Sequence, residues 1–464
     1  MYNTDTICAI STAVSSAGIN IIRISGDLAV EAADKILVKK SGKHFLSEVD
    51  SHTINHGFIV DKNDGIIDEV MVSVMRSPKS YTTEDVVEIN CHGGISVTKS
   101  ILEEIINTGL VRLAEPGEFS KRAFLNGRID LSSAEAIMNL ISAKSKLAAR
   151  NSIKQMEGGL KEKIDEIKDI LLNDDARIEA YLDDPENLDL DGFDVQLNDD
   201  IRNMKEKLNN LIDSYQDGKI IDEGINTVIL GRPNAGKSSI MNILSRSERS
   251  IVTDIAGTTR DTIEETIRLG DIVLNIIDTA GIHETEDVIE KIGIKKAESK
   301  AKEADFCIVV IDSSVGIGED DKKIFNLIKD KKSVVLLNKS DLNGNAYEAL
   351  LEEIRKDTNS KVILTSAKKG EGFDELKKYI EEEFLSGRLK NNDDIYITNE
   401  RQLSNLKEAL NYISNIEKSI EMGMSEDFYT IDIMGAYHSL SEITGEDISE
   451  DLINRIFEKF CMGK

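Results

Sequence analysis

The apolar positions of this chain change rhythm several times along its length. Over residues 1 to about 118, Ile19-Asn20-Ile21-Ile22-Arg23-Ile24, Val70-Met71-Val72-Ser73-Val74-Met75 and Val86-Val87-Glu88-Ile89 read as strands with Gly-rich punctuation after them, and Ile95 to Asn107 as an amphipathic helix. From about 119 to 220 the spacing becomes helical. Leu160, Ile164, Ile167, Leu171 and Leu172 form one stripe; Ile201, Met204, Leu208, Leu211 and Ile212 form another. Between the stripes, Asp183-Asp184-Pro185 and the run to Asp194 read as a solvated acidic connection. Strand-like runs at 226–230, 272–277, 306–311, 333–337 and 361–364 then alternate with helices, which predicts a doubly wound, mainly parallel sheet. Helices return from about 398 to 460, and the last puts Ile448, Leu452, Ile453, Ile456, Phe457 and Phe460 on one face. Helical sequence on both sides of the alternating segment predicts that this segment is inserted into a helical domain.

The 464 residues leave room for about three domains with real cores. The expected division is a mixed α/β domain over 1–118, a first helical part over 119–221, the doubly wound domain over 222–380 and a second helical part over 381–464. With 85 acidic against 57 basic residues, the net charge of −28 argues against a broad electrostatic grip on nucleic acid or anionic membrane. Any RNA contact must then be local, or made largely by a partner. Cys8, Cys91, Cys307 and Cys461 show no metal-binding or disulfide spacing, which fits reduced thiols in the cytoplasm. The first residues carry no basic flank or long apolar run, and Phe306-Cys307-Ile308-Val309-Val310-Ile311 is far short of a membrane span. A cytoplasmic protein with no membrane partner is expected.

The chemistry is concentrated in two motifs. Gly231-Arg232-Pro233-Asn234-Ala235-Gly236-Lys237-Ser238 fits GxxxxGKS, in which small residues let successive backbone N–H groups curl around a phosphate chain. Lys237 would reach the β- and γ-phosphates, and the Ser238 hydroxyl would ligate Mg²⁺. The context is right: an apolar strand precedes the loop, and Ser239-Ile240-Met241-Asn242-Ile243-Leu244 opens a helix whose N-terminus faces the anion. About a hundred residues on, Asn338-Lys339-Ser340-Asp341 supplies a carboxylate that can accept from the ring N–H and exocyclic amine of guanine together, a pair of donors that adenine lacks. The nucleotide is therefore GTP. Asp278-Thr279-Ala280-Gly281 should hold the Mg²⁺ hydration shell through Asp278 and sense the γ-phosphate through the Gly281 N–H. Either threonine of Gly257-Thr258-Thr259-Arg260-Asp261 could be the second Mg²⁺ ligand by composition, and Ser366-Ala367-Lys368 would border the base.

One part is missing. Ile282 follows Gly281 where Ras-like enzymes carry the glutamine that orients water, and an apolar side chain cannot orient water. Catalysis then needs another group to position water and another cation to offset charge developing between the phosphates. His283, Glu284, Glu286 and Glu290 are the downstream candidates, each also readable as a solvated residue of a helix face.

Asn234 within the phosphate loop, Gly257 to Asp261, Asp278 to Ile282 and Cys461-Met462-Gly463-Lys464 together resemble the MnmE (TrmE) family of tRNA-modification GTPases. The resemblance extends along the chain through Asp5-Thr6-Ile7, Arg23-Ile24-Ser25-Gly26, Glu84-Asp85-Val86-Val87-Glu88, His92-Gly93-Gly94 and the Pro116 to Asn126 segment. It implies an N-terminal α/β folate-binding-like domain that dimerises, a helical domain and an inserted Ras-like P-loop GTPase domain. Carried over by motif, the GTP-binding residues are Asn234, Ala235, Gly236, Lys237, Ser238 and Ser239, then Thr253, Asp254, Ile255, Ala256, Gly257, Thr258 and Thr259. Asp278, Thr279, Ala280 and Gly281, with Asn338, Lys339, Asp341, Ser366, Ala367 and Lys368, complete the set. The resemblance also implies a K⁺ site formed by Asn234, Thr253, Ile255 and Thr258, makes Thr259 the Mg²⁺ ligand beside Ser238, and puts Glu290 on the family's water-orienting glutamate. K⁺ would do electrostatically what an arginine finger does elsewhere.

For the N-terminal domain the resemblance implies contacts from Arg23, Glu88, Arg128 and Lys464 to 5-formyl- or methylene-tetrahydrofolate. A carboxylate suits the donor edge of a pterin, and cations suit the glutamate tail. Arg128 stands where the family often has lysine, and Ser11-Thr12-Ala13-Val14-Ser15-Ser16 replaces a usual Pro- and Gly-rich stretch. Read from the residues alone, Arg23 and Glu88 are a cross-strand surface pair, Cys91 a buried thiol, His92 a hydrogen-bonded imidazole, and Cys461 a filler at a helix end or a reactive thiol.

The implied function is that of a homodimeric, potassium-stimulated GTPase joined in a heterotetramer with the FAD protein MnmG (GidA). The pair would install an aminomethyl or carboxymethylaminomethyl group at carbon 5 of the wobble uridine of certain tRNAs, with a folate one-carbon unit as donor. A ribosome-assembly GTPase of the Era or Der kind shares the nucleotide motifs, but lacks the N-terminal α/β domain and the Cys-x-Gly-Lys end, and usually adds a basic RNA module. A folate enzyme with an accessory GTPase is the remaining alternative; it would not need the flavoprotein for modification.

Overall fold

The computed structural model describes residues 5–63, 65–184, 193–247, 263–277, 301–342, 347–385, 395–425 and 427–463. The chain is a multidomain protein of α/β and α parts, and its contacts divide it into two compact units. One contains residues 1–138, 155–192 and 412–464; the other contains 139–154 and 193–411.

In the first unit, β1 (Thr6–Ile10), β2 (Ile19–Ser25), β3 (Leu37–Val38), β4 (Thr53–Val60), β5 (Ile66–Met75), β6 (Val86–His92) and β7 (Val111–Leu113) form a seven-stranded sheet ordered β3-β4-β5-β6-β2-β1-β7. All neighbours are antiparallel except β1 and β7. Side chains alternate between faces. Ile22, Ile24, Val70, Val72, Val74, Val87 and Ile89 join one core with Ile101 and Ile105 of the helix Ile95–Asn107. The opposite face packs Ile7, Ala9, Ala114 and Phe119 with Tyr81, and carries Arg23 and Glu88 directly opposite each other on β2 and β6. Three of these strands match the sequence reading, with β5 starting earlier, at Ile66. Strands β1, β3, β4 and β7 had no distinct signal.

The helices of this unit follow the expected stripes with two corrections. In the helix Gly159–Asp183, Leu160, Ile164, Ile167 and Leu171 are buried, but Leu172 is 41 % exposed. In the helix Glu450–Phe457, Ile453 and Phe457 join Phe460, Leu131 and Ala134 in a core, with Ile448 and Ile456 partly buried against it, whereas Leu452 is exposed. The reason is the same in both. A residue one position from a buried neighbour is turned by about 100° and leaves a narrow stripe.

The second unit holds β8 (Ile225–Leu230), β9 (Ile263–Leu269), β10 (Ile272–Ile277), β11 (Phe306–Asp312), β12 (Ser333–Asn338) and β13 (Lys361–Leu364), ordered β13-β12-β11-β8-β10-β9. All pairs are parallel except β10 with β9. Ile308, Val310 and Leu336 enter the core on one face; Cys307, Val309, Ile311, Val335 and Leu337 enter that on the other. Both faces are covered, which is why these strands are unbroken apolar runs. Strand β9, an edge strand with charges interleaved, was not anticipated. The long helices Phe193–Glu223 and Glu400–Glu421 contribute to this unit, the second through its residues up to 411.

Candidate functional site: a phosphate loop coupled to a base-facing loop

Strand β8 ends at Leu230, and the chain turns sharply before the helix Lys237–Ser247. Gly231 (φ 149°) and Gly236 (φ 101°) make the turn. A Cβ on Gly231 would lie 2.4 Å from the carbonyl oxygen of Val310, and one on Gly236 would lie 2.2 Å from Nδ2 of Asn338. Only glycine fits either place. Asn234 is also left-handed (φ 64°), a conformation asparagine tolerates better than most residues. Starting the helix at Lys237 leaves the N–H groups of its first turn without helical partners, and together with the helix dipole they make an anion-binding cradle. Lys237 arches back over the loop: its Nζ donates to the carbonyls of Gly231 (2.8 Å) and Arg232 (2.9 Å). Burial pushes its pKa down, so a phosphate arriving there restores a counter-charge that the free protein lacks.

The second loop is locked to the first by a buried side chain. Asn338, the last residue of β12, donates from Nδ2 to the Ala235 carbonyl (3.0 Å) and accepts at Oδ1 from the Ala367 N–H (3.1 Å). One amide thus fixes the spacing between the phosphate cradle and the loop after β13. Lys339, left-handed at φ 62°, donates from Nζ to the Asn234 carbonyl (2.9 Å) and pairs with Asp312 (2.6 Å). Asp341 accepts from the Ser366 hydroxyl (2.7 Å). That bond, ahead of the charges of Lys368 and Lys369, holds the Asp341 carboxyl below its usual range, so it is an anionic acceptor at neutral pH.

The structure therefore brings together Asn234, Ala235, Gly236, Lys237, Ser238 and Ser239 on one element, with Asn338, Lys339, Asp341, Ser366 and Ala367 beside them. Thr253, Asp254, Ile255, Ala256, Gly257, Thr258, Thr259, Asp278, Thr279, Ala280, Gly281 and Glu290, with His283, Glu284 and Glu286, lie outside the described residues. Sequence reasoning missed the brace behind the cradle. Arg232 Nε pairs with Asp321 (2.7 Å), which is fully buried and also accepts from the Gly318 N–H (2.9 Å); Arg232 donates as well to the Gly316 carbonyl. No local signal reveals that pairing, because its two ends lie far apart in sequence.

In the other unit, Arg23 donates from Nε and Nη2 to the same oxygen, Oε1 of Glu88 (2.9 and 2.8 Å), which leaves Oε2 as an acceptor. The Arg23 guanidinium lies 5.5 Å from the Tyr81 ring centre and 5.6 Å from that of Phe119, and Arg128 lies 5.1 Å from Tyr81. Gly463 stands at the same place: its carbonyl accepts from Ser11 Oγ (3.0 Å) and Arg23 Nη1 (3.4 Å). The cross-strand pairing of Arg23 and Glu88 is as expected from the residues, but the pair is half-buried rather than a free surface pair. Lys464 lies outside the described residues. Cys91 is buried, Cys461 is exposed, and His92 bonds Asp68 through Nδ1 (2.6 Å). Among the described residues no helix is long and apolar enough to cross a membrane.

A glycine-turned loop feeding a helix N-terminus at the carboxyl end of a central parallel strand, with an Asn-Lys-x-Asp loop beside it, defines the P-loop GTPase class. The description "MnmE helical domain" matches residues 131–461, and "GTP-binding protein TrmE N-terminus" matches residues 6–128. The tRNA modification GTPase MnmE of Lachnoclostridium phytofermentans is 52 % identical over 461 residues, covering 99 % of this chain and 100 % of that protein. The proteins of the same name from Acetivibrio thermocellus and Lactobacillus helveticus are 47 % and 43 % identical over 465 and 462 residues, with 100 % and 99 % of this chain and 100 % and 98 % of theirs covered. The chain belongs to the MnmE family of tRNA modification GTPases.

Proposed function

We propose that this GTPase couples GTP hydrolysis to installing an aminomethyl-type group at carbon 5 of the wobble uridine of certain tRNAs, in the cytoplasm, as a homodimer in complex with the FAD protein MnmG. The observation that carries the nucleotide half of the reading is the Asn338 amide, which ties the phosphate loop to the base-facing loop. In this reading Lys237 and the first-turn N–H groups hold the phosphates, Asp341 accepts from guanine, and Ser366, Ala367 and Lys368 border the base. Ser238, at the second position of the helix, offers a hydroxyl where Mg²⁺ belongs, with Thr259 as the other ligand. Asn234 would offer a neutral amide oxygen to K⁺ together with Thr253, Ile255 and Thr258, and a cation held by them would offset the charge that develops between the phosphates. Glu290 orients water.

The folate half rests on the donor set at the N-terminal sheet. Oε2 of Glu88 is the kind of acceptor a pterin edge requires, Tyr81 is a stacking surface, and Arg23, Arg128 and Lys464 suit the carboxylates of the tail. The reading is tested by GTP turnover in K⁺ against Na⁺, and by mass spectrometry of tRNA nucleosides after incubation with and without the flavoprotein. Turnover should rise in K⁺ and depend on Asn234, and Glu290→Ala should lower kcat about 10²-fold with near-normal GTP affinity. Equal rates in the two salts would overturn the cation site, and a product formed without the flavoprotein would overturn the partnership.

A further inference from the structure

We infer that the cleft at the β3 edge of the N-terminal sheet is an RNA-binding site that takes the phosphate backbone of an unpaired strand, an inference that rests on the tRNA-modification reading. The cleft has a volume of about 700 Å³, and Arg23, Glu88 and Arg128 are not among the residues that line it. It is lined by Lys35, which pairs with Glu31, by Lys39, Lys40 and Lys62, and by the apolar Ile36 and Phe58. In a chain of net charge −28, the segment 35–47 has four lysines and a histidine and no carboxylate. Asp61 and Glu104 are the acidic residues lining the cleft. Asp61 is already engaged, accepting from the backbone N–H groups of Asn63 (2.8 Å) and Gly65 (2.9 Å). Among the described residues Lys39, Lys40 and Lys62 have no carboxylate within salt-bridge distance.

Lys39 and Lys40 are presented by an ordered turn rather than a loose one. Lys39 donates its N–H to the Lys43 carbonyl (2.9 Å), and Gly42, at φ 79°, donates to the Lys39 carbonyl (2.7 Å). Behind the turn, Asp34 accepts from the N–H groups of Phe45 (2.9 Å) and Leu46 (2.7 Å), and the Lys39 ammonium lies 4.7 Å from the Phe45 ring centre. Cations and apolar side chains, the Phe58 ring among them, lining one cleft match a nucleotide strand, whose charge is on the phosphates and whose bases offer flat apolar faces. A duplex would present phosphates alone and would not use the apolar lining. The rival account is that lysines on a two-residue edge strand only prevent edge-to-edge pairing. That account gives no reason for Lys62, on another segment, to face the same cleft.

The test uses the full chain and compares wild type with K39E/K40E and, on the separate segment, with K62E. Binding of unmodified tRNA is measured over a range of salt, with GTP hydrolysis as the control for folding. Each reversal should weaken tRNA binding, by about tenfold or more for the double variant, and lower the salt slope by about 0.7–0.9 for each phosphate no longer neutralised, while GTP hydrolysis stays unchanged. Inorganic triphosphate at millimolar concentration should compete poorly with tRNA. Unchanged tRNA affinity and slope in both variants would overturn the site. So would variants that aggregate while their soluble fraction binds tRNA normally, since the lysines would then be edge guards. Modification by wild type with the flavoprotein is assayed in parallel: if it proceeds, loss of the site leaves the functional reading standing, and if wild type neither modifies nor binds tRNA, that reading falls and takes the site with it.

Discussion

The two sheets of this protein are built by opposite rules, and each has its chemistry where its own rule leaves room. The β8–β13 sheet is buried on both faces, so the mid-strand side chains of its central strands are committed to packing, and its working groups gather at and beyond the carboxyl ends of the strands. The β1–β7 sheet alternates. One face is committed to the core, and the other can carry Arg23 and Glu88 in mid-strand. Precision in the first sheet comes from glycine turns and one buried amide. In the second it comes from cross-strand register.

Damage should therefore fall on binding in one unit and on stability in the other. The largest effect is expected from Gly236→Ala, which forces a Cβ to within 2.2 Å of Asn338 Nδ2 at a φ that alanine disfavours. GTP affinity should fall more than about 10²-fold while the N-terminal unit unfolds as in wild type, and a GTP titration beside a denaturant curve checks this. Next is Arg122→Ala in the N-terminal unit. Its guanidinium pairs with Glu84 (3.1 Å), Glu118 (2.9 Å) and Asp5 (3.2 Å), the last two shared with Arg112, and removing it takes a buried cation from three carboxylates at a cost of about 3 kcal/mol, read by denaturant unfolding with GTP affinity intact.

Acid should sharpen the contrast. Burial alone would raise the pKa of Glu118, but the Arg112 guanidinium, the Glu115 N–H and Arg122 together bring it down to about 2. A carboxyl depressed in the folded state stabilises above its unfolded pKa, so this contribution is complete above about 4.5 and is lost as pH falls toward 2. It is worth about 3 kcal/mol, and Glu118→Gln should flatten the acid side of the N-terminal unit's stability profile. Smaller still is Asp341→Asn, which exchanges an acceptor for a donor. GTP should weaken about ten- to a hundredfold while xanthine nucleotide gains, measured side by side; an unchanged preference for GTP would reassign guanine recognition.

The same contrast explains what could be read from sequence. The parallel strands are continuous apolar runs such as Val334 to Leu337, and the GxxxxGKS and Asn-Lys-x-Asp motifs are local, so both the sheet and the partnership of its loops were legible. Alternating strands carry a weaker signal. Thr53–Val60 interleaves Asn55, His56 and Gly57 with its apolar residues, and Ile263–Leu269 has charges at Glu264, Glu265 and Arg268, so neither stood out. Nor could local reading find Asp321 behind Arg232, or Tyr81 and Phe119 beside Arg23. Those contacts are made by long-range packing, and spacing along the chain carries no record of it.

The bond from Ser11 to Gly463 has a consequence for synthesis. It spans 452 positions. The entropy of closing so large a loop grows only logarithmically, so distance itself is a mild obstacle; the strict constraint is order of manufacture. A ribosome must add every residue between Ser11 and Gly463 before the carbonyl that meets Ser11 and Arg23 exists. The nucleotide domain, encoded between the two, is free to fold during translation, whereas the contact of Ser11 and Arg23 with Gly463 waits for residue 463. A chain stopped before Gly463 would thus keep the residues of the nucleotide domain and lack the carbonyl to which Ser11 and Arg23 donate.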